Sequence, residues 1–182
     1  VVIDLDTKEE DFVTTFLTTS THSDLLFFTD IGKAYQLKFY DIPEGKRSTK
    51  GKAVVNYLSI GAEEKVTSVL PIRAQPRRSA KAEVGAPTKA SGKTDQYLYM
   101  VTKMGVAKKV DATAFHDVRR SGLIAIKLGA KSLLAGSHGD ELIAALLVEK
   151  GDELILTTEK GQSVRFKESD VRAMGRAAGG VR

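Results

Sequence analysis

Basic side chains recur at matching places along this chain, and their chemistry suits the binding of phosphate. A single lysine is best interpreted as ordinary solvated charge, whereas a periodic set favours double-stranded DNA as a partner. Each phosphate neutralised releases condensed counterions, so affinity for DNA should fall steeply with salt. The candidate contacts are Lys33, Lys38, Arg47, Lys50, Lys52, Lys103, Lys108, Lys109, Arg119, Arg120, Lys160, Arg165, Lys167, Arg172 and Arg176.

The charge of the chain is unevenly distributed. The net charge is +5, a mild indication of an anionic partner. The stretches 33–52, 73–95, 103–122 and 160–182 each carry +3 or +4, so the remaining sequence is strongly acidic. This segregation predicts one basic surface and one acidic surface.

Other residues that could do chemistry lack the spacing that it needs. The three histidines, His22, His116 and His138, have no companions at metal-ligand spacing. No glycine segment has the Walker spacing, and no Gly-x-Ser-x-Gly elbow marks the nucleophile of a Ser-His-Asp triad. The acid pairs at 63–64 and 152–153 are best read as solvated turns. We therefore expect no catalytic residue, metal or cofactor in this chain.

The sequence also argues against reading of DNA bases. Asn56 is the only asparagine, and no helix carries Arg, Asn or Gln along one face. Phosphate contacts alone would position DNA without selecting a sequence.

Composition limits the class of protein. The 182 residues are 42% hydrophobic, enough for a packed core. There is no cysteine, which suits a reducing compartment, and no apolar run long enough for a membrane helix. We expect a soluble cytoplasmic protein with no membrane partner.

Short apolar or alternating runs, typical of β-strands, dominate the chain. Brief helical turns are expected at 111–116 and 168–174. The predicted strands are Phe12–Thr19, Leu25–Thr29, Lys33–Phe39, Ala53–Tyr57, Val66–Ile72, Tyr97–Thr102, Val106–Val110, Leu123–Leu128, Glu141–Val148, Glu153–Thr158 and Gln162–Lys167.

These strands form a repeat. In each copy an apolar strand is followed by Thr, two residues, a glycine (Gly32, Gly105 or Gly161) and a second strand, the pattern of a tight hairpin. A basic, glycine-rich element follows, and two copies continue with a third strand and a closing strand. Four strands repeated every roughly 50 residues predict β-propeller blades, which must stack on one another. The chain opens and stops within a repeat, which predicts a fragment of a longer protein.

We expect residues 1–182 to form a single domain. Within it, residues 73–95 are rich in Pro, Gly, Ala and Lys/Arg and predict a flexible basic insertion loop. Loose phosphate contacts and a tolerated surface insertion are equally good interpretations of that loop.

Six segments of the sequence carry a resemblance to a known family: 10–13, 26–29, 39–44, 50–56, 64–69 and, most specifically, 164–176. In this order they resemble the C-terminal DNA-wrapping domain of the bacterial DNA gyrase A subunit. The resemblance implies a β-pinwheel, a propeller-like ring whose blades exchange outer strands and whose basic rim bends DNA. It also implies an ATP-dependent type IIA topoisomerase that supercoils DNA negatively, with the rest of gyrase A and gyrase B as partners, and a location at the nucleoid.

One feature separates this sequence from that family's pattern. The basic glycine-rich box expected just before Val1 is not in the chain, which bears on full wrapping and supercoiling. The related domain of topoisomerase IV typically lacks that box and is the nearest alternative; a protein-interaction propeller, with affinity insensitive to salt, is another. No tyrosine follows an arginine, so the cleavage chemistry of such enzymes is expected outside this chain.

Overall fold

The computed structural model describes residues 13, 15–46, 51–72, 96–128 and 139–182. This part of the chain contains β-strands and short 3-10 helices only, so the predicted all-β class is confirmed. None of the helices described there is long and apolar enough to cross a membrane. The strands are β1 (Asp24–Thr29), β2 (Lys33–Lys38), β3 (Val66–Ile72), β4 (Gln96–Thr102), β5 (Ala107–Asp111), β6 (Leu123–Ile124), β7 (Leu142–Glu149), β8 (Glu153–Thr157) and β9 (Ser163–Lys167).

The first blade is a four-stranded sheet in the order β3-β1-β2-β6. Strands β1 and β2 form the predicted hairpin, whose turn contains Gly32 at a φ of 78°. The outer strand β6 belongs to the second repeat, and its Leu123 lies opposite Ala34. Neighbouring repeats therefore exchange a strand.

The second blade repeats this arrangement. Its sheet has the order β5-β4-β7, and Gly105 forms the turn of the β4–β5 hairpin. Val181 of the third repeat makes an antiparallel bridge to Ala107 on β5, with hydrogen bonds of 2.7 and 2.8 Å in the two directions. Val181 thus does for the second blade what Leu123 does for the first. The third repeat itself contributes the hairpin β8–β9.

Two glycines allow the exchanged strands to approach this closely. Gly122 precedes β6 at a φ of 77°, and a Cβ there would lie 2.7 Å from the Tyr35 ring. Gly180 precedes Val181 at a φ of 90°, and a Cβ there would lie 2.6 Å from Val106 Cγ1. Only glycine tolerates both the backbone conformation and the contact.

The blades stack face to face through a shared apolar core. Phe28 of the first blade meets Phe115 of the second edge to face, with ring centroids 6.0 Å apart. The far face of the first blade buries a second cluster around Tyr35, and the far face of the second blade packs on the third repeat through Tyr99 and Leu154. The central cluster contains Leu26, Phe28, Ala34, Ile72, Leu98, Met100, Val110, Phe115, Val118, Ala125, Ile126, Leu142 and Ala145.

The hairpins and closing strands agree with the sequence-based prediction, but the third strand of each repeat does not. Ala53–Tyr57 was expected to be a strand of the first blade, and instead contains a 3-10 helix, Val54–Asn56. The expected strand Leu123–Leu128 is reduced to Leu123–Ile124. A strand needs a neighbour for its backbone hydrogen bonds, and the neighbour of β6 belongs to the preceding repeat.

The remaining expectations concern the segment before the first hairpin, the insertion and the helical turns. The predicted strand Phe12–Thr19 is wrong over residues 15–19, which form no regular structure because no described strand lies beside them. Phe12 and Thr14 lie outside the described residues, as do all of residues 73–95. The expected helical turns are found as the 3-10 helices Ala112–Phe115 and Glu168–Asp170.

Candidate nucleic-acid interface

Thirteen of the fifteen candidate cations lie in the described part of the chain, where they are half-buried, buried or exposed. Lys33 and Lys38 are half-buried, Lys108 and Lys109 are buried, and Arg47 and Lys50 lie outside the described residues. The exposed ones are Lys52, Lys103, Arg119, Arg120, Lys160, Arg165, Lys167, Arg172 and Arg176.

Lys33 belongs to a small polar network at the edge of the first blade. Its Nζ lies 2.8 Å from Glu64 Oε1, while the Tyr35 hydroxyl donates to Glu64 Oε2 at 2.9 Å. The hydrogen bond to Glu64 raises the pKa of Lys33, and despite the opposing effect of burial the pKa of Glu64 is lowered by its bonds to Lys33 and Tyr35. Lys33 therefore already has an anionic partner.

Three other candidates are also paired. Lys38, the last residue of β2, pairs with the buried Asp24 on β1. Exposed pairs join Lys103 to Glu141 at 3.8 Å and Arg165 to Glu153 at 3.3 Å. Exposed pairs contribute little to stability and exchange readily, so these two cations stay available to phosphate.

The other exposed candidates have no ion pair within the described part of the chain; they are Lys52, Arg119, Arg120, Lys160, Lys167, Arg172 and Arg176. Arg119 and Arg120 are the best positioned of them. The Gln36 side chain on β2 accepts a hydrogen bond from the backbone N–H of Val118 at 2.8 Å. It donates another to the His116 carbonyl at 3.4 Å. This amide holds the segment from the second repeat against the first blade, and the arginines follow immediately.

Lys109 occupies the place of Gln36 in the second blade, four residues after the turn glycine. Its Nζ pairs with the Glu168 carboxylate, donates to the Glu168 carbonyl at 3.1 Å, and lies 4.1 Å from the Tyr97 ring centroid. The bond from Lys109 lowers the pKa of Glu168. The expectation that Lys109 contacts DNA is therefore corrected: its ammonium is buried and anchors the third repeat.

Lys108 is corrected for the same reason. Its side chain is fully buried and donates to the carbonyls of Ala125 at 2.7 Å, Ala178 at 2.9 Å and Arg176. Burial lowers the pKa of Lys108 to about 8, which leaves it protonated at neutral pH. Each of the three N–H groups of the Lys108 ammonium thus has a carbonyl acceptor. Two of these acceptors, Arg176 and Ala178, lie in the segment that leads to Val181.

Equivalent anchors therefore hold equivalent basic segments. Gln36 fixes the backbone before Arg119 and Arg120, and Lys109 with Lys108 fixes the backbone that carries Arg172 and Arg176. Guanidinium groups present a planar fork of donors that matches phosphate oxygens. Each of the two segments precedes an exchanged strand, so exposed arginines lie before the exchanged strand in both repeats.

One neighbouring cation was missed from the sequence. Lys127 is exposed, and its backbone N–H donates to the Ala178 carbonyl at 3.3 Å, next to the segment that carries Arg176. Lys127 follows Gly122 by five residues, and the contacts predicted for the second repeat end before that glycine. Across the described residues no cluster of His or carboxylate groups could hold a metal ion.

These features define a class of protein: a propeller of strand-exchanging blades that carries fixed, exposed arginines before each exchanged strand. The sequence matches the family described as "DNA gyrase C-terminal domain, beta-propeller" over residues 23–73, 96–136 and 152–182. The chain belongs to this family.

Individual relatives agree with this assignment. The DNA gyrase A subunit of Clostridium acetobutylicum is 38% identical over 98% of this chain, which spans 18% of that relative's length. The solved C-terminal domain of DNA topoisomerase IV matches with a TM-score of 0.71 at 24% identity, covering 98% of this chain and 48% of that one. A DNA gyrase A C-terminal domain matches with a TM-score of 0.60 at 23% identity, covering 90% of this chain and 43% of that one. At this identity the two structures establish the fold alone.

Proposed function

We propose that this chain binds double-stranded DNA without reading its sequence and bends the duplex along its exposed arginines. It would act as the C-terminal domain of gyrase A in an ATP-dependent type II topoisomerase. In that assembly the rest of gyrase A, together with gyrase B, supplies the catalytic residues, and this domain supports negative supercoiling. The domain itself would need no cofactor or metal, and would work in the cytoplasm at the nucleoid.

One observation carries the proposal. Exposed arginines without ion pairs, among the residues that the structure describes, lie on backbone that is held in place by the half-buried Gln36 or by the buried Lys108 and Lys109. The Gln36 amide fixes the segment that leads to Arg119 and Arg120. A fixed backbone lowers the entropy lost when side chains engage a ligand. The contacts would be made to phosphates, which position DNA without specifying sequence.

Bending would follow from the spacing of these contacts over successive blades. Smooth bending of a site of about 20–30 bp costs roughly 1–6 kcal/mol. One ion pair with a phosphate does not offset such a cost, whereas contacts from two or three blades together do. The proposed track therefore joins Arg119 and Arg120 to Arg172 and Arg176 on the next exchanged segment.

A salt titration with charge-reversal variants tests DNA binding. We expect the wild-type chain to bind unrelated duplexes with similar affinity and to weaken strongly between about 50 and 200 mM salt. Arg120→Glu should lower the affinity and reduce the salt slope by about 0.9 for each phosphate that is no longer neutralised. Lys150→Glu is the matched control, since Lys150 is exposed, makes the same charge change and lies in the β7–β8 turn.

Equal loss in both variants would mean that only net charge matters, and the proposed track would be wrong. Binding that is insensitive to salt would contradict the proposal outright and favour a protein-interaction propeller. Because both side chains are exposed, we expect both variants to keep the fold. Circular dichroism of each variant checks this.

A further inference from the structure

We propose that this chain binds an aliphatic diamine in a cavity at the junction of the first and second repeats. The cavity lies beside the C-terminal half of β2 and the segment 116–118, which Gln36 holds in place. One ammonium of the ligand would bind at the buried end of the cavity and the other at its mouth. This site differs from the proposed DNA contacts because it takes a cation instead of a phosphate.

The cavity is large enough for a small organic molecule. Its volume is about 980 Å³, a size typical of ligand sites in proteins. All of its lining residues belong to the first two repeats: Asp24, the segments 36–38, 40–41, 56–58 and 116–118, and Arg120.

Two buried polar atoms on the cavity wall have no hydrogen-bond partner among the described residues. They are Tyr57 Oη and His116 Nε2. Buried polar atoms in proteins are nearly always hydrogen-bonded, so two such atoms on one cavity indicate a polar occupant. A hydroxyl oxygen and the unprotonated nitrogen of a neutral imidazole both accept hydrogen bonds, and an ammonium group donates three.

The charges on the wall favour a cation. Asp24 is only 4% exposed and pairs with Lys38, but a carboxylate has further acceptor sites for a second cation. Asp41 and Asp117 are exposed, and neither has an ion pair in the part of the chain that the structure describes. Three carboxylates and two cationic side chains line the cavity, so negative charge is in excess.

The second blade shows how an ammonium occupies the equivalent place. Lys109 follows its turn glycine by four residues, as Gln36 does in the first blade. The Lys109 ammonium pairs with Glu168 and lies 4.1 Å from the Tyr97 ring centroid. The first blade has Asp24 at the position of Tyr97, eight residues before the turn glycine. The first junction therefore has a buried carboxylate where the second has an aromatic ring, and an amide where the second has an ammonium.

The same comparison explains why the first junction has room for a ligand. Glu168 follows its turn glycine by seven residues, and Ala112 has that position in the second repeat. Gln36 and Ala112 are each shorter than Lys109 and Glu168, which fill the second junction. A ligand ammonium in the cavity would supply the cation that the chain supplies itself at the second junction.

The mouth of the cavity favours a second ammonium on the same ligand. Tyr40 lines the mouth and is 60% exposed, and the face of an aromatic ring attracts organic cations. Asp41 and Asp117 lie there as well. A neutral ligand would leave both carboxylates without a partner, and a dicarboxylate would be repelled by them.

Three ligands of equal length but different charge test the site. The chain is titrated with 1,4-diaminobutane, butane-1,4-diol and butanedioate at constant ionic strength, and its backbone amides are followed by two-dimensional NMR. We expect the diamine to produce saturable shifts at residues 56–58 and 116–118. The diol and the dicarboxylate should bind at least about tenfold more weakly, since neither donates charged hydrogen bonds.

Tyr57→Phe removes one proposed acceptor. The variant should bind the diamine about tenfold more weakly, because a hydrogen bond to a charged group is lost. Its stability should not fall, since the hydroxyl has no partner among the described residues. Tyr97→Phe is the matched control: it removes the hydroxyl of another half-buried tyrosine, in the second blade, and should leave the affinity unchanged.

Gln36→Lys supplies an ammonium from the chain itself, as Lys109 does in the second blade, and should abolish diamine binding. Equal affinity for the diol, tighter binding of butanedioate, or diamine shifts that do not saturate would overturn the proposal. Unchanged diamine affinity in a folded Tyr57→Phe chain would overturn it as well. Because no DNA is present in these titrations, failure of the diamine site leaves the proposed function untouched.

Discussion

At the scale of single residues, the two adjacent lysines of β5 stabilise the fold, whereas the exposed arginines are the proposed contacts to DNA. Lys109 is buried with Glu168, and removal of one member of a buried pair leaves an uncompensated charge. We expect Lys109→Met to lower the free energy of unfolding by about 3–5 kcal/mol, measured by urea denaturation. The exposed control Lys150→Met should change it by less than about 0.5 kcal/mol. A stable Lys109→Met chain with weakened DNA binding would return Lys109 to the interface.

Lys108 predicts an unusual dependence of stability on pH. Burial lowers its pKa from 10.5 to about 8, so between these values the unfolded chain binds the proton and the folded chain does not. The contribution of Lys108 to the free energy of unfolding therefore rises as pH increases from 8 to 10.5. The difference between wild type and Lys108→Met should grow in favour of wild type by at most about 1.4 kcal/mol per pH unit. Urea titrations at several pH values measure it, and a constant difference would contradict the pKa.

The burial of both lysines could not be predicted from the sequence. Successive side chains of a strand point to opposite faces, so one of two neighbours is ordinarily expected in solvent. Here β5 belongs to a sheet covered by apolar clusters on both faces. Lys108 and Lys109 therefore enter two different interiors. The groups that accept their hydrogen bonds belong to Ala125 and to the segment 168–178, all remote in sequence.

At the scale of elements, the hairpins could be predicted and the strand exchange could not be derived from the repeat. The pattern of an apolar strand, Thr, two residues and glycine is local, and each turn it predicts is present. The partner of β6 is decided by a neighbouring blade, which a period in sequence does not identify. Only the resemblance to a known family pointed to exchanged outer strands. The repeat instead suggested Ala53–Tyr57 as a strand of its own blade, which is wrong.

The exchanged strand after Gly180 is open to a direct test. In Gly180→Ala the new Cβ would lie 2.6 Å from Val106 Cγ1 and 2.9 Å from the Ala107 carbonyl oxygen. We expect a loss of about 2–3 kcal/mol in the free energy of unfolding, from strain at positive φ and displacement of Val181. Amide exchange at Ala107 should accelerate, since its N–H bonds to the Val181 carbonyl.

Gly105→Ala is the matched control for that substitution. Gly105 also has a positive φ, 80°, but a Cβ there would meet nothing within 4 Å. Its cost should be the backbone strain alone, about 1 kcal/mol. Equal destabilisation of the two variants would show that the exchanged strand contributes nothing beyond the conformation of its glycine.

At the scale of the whole molecule, DNA bending requires that basic segments on different blades act as one track. The variants Arg119→Glu/Arg120→Glu and Arg172→Glu/Arg176→Glu each remove one segment, while Lys65→Glu/Lys150→Glu makes the same change at exposed lysines outside the proposed contacts. Each track variant should reduce the salt slope by about 1.8 if every arginine meets one phosphate. Each should also straighten a duplex of about 30 bp, because a bend is held only when both of its ends are bound. Energy transfer between the duplex ends measures the bend; full bending in either track variant at saturating protein would mean that its segment lies off the DNA path.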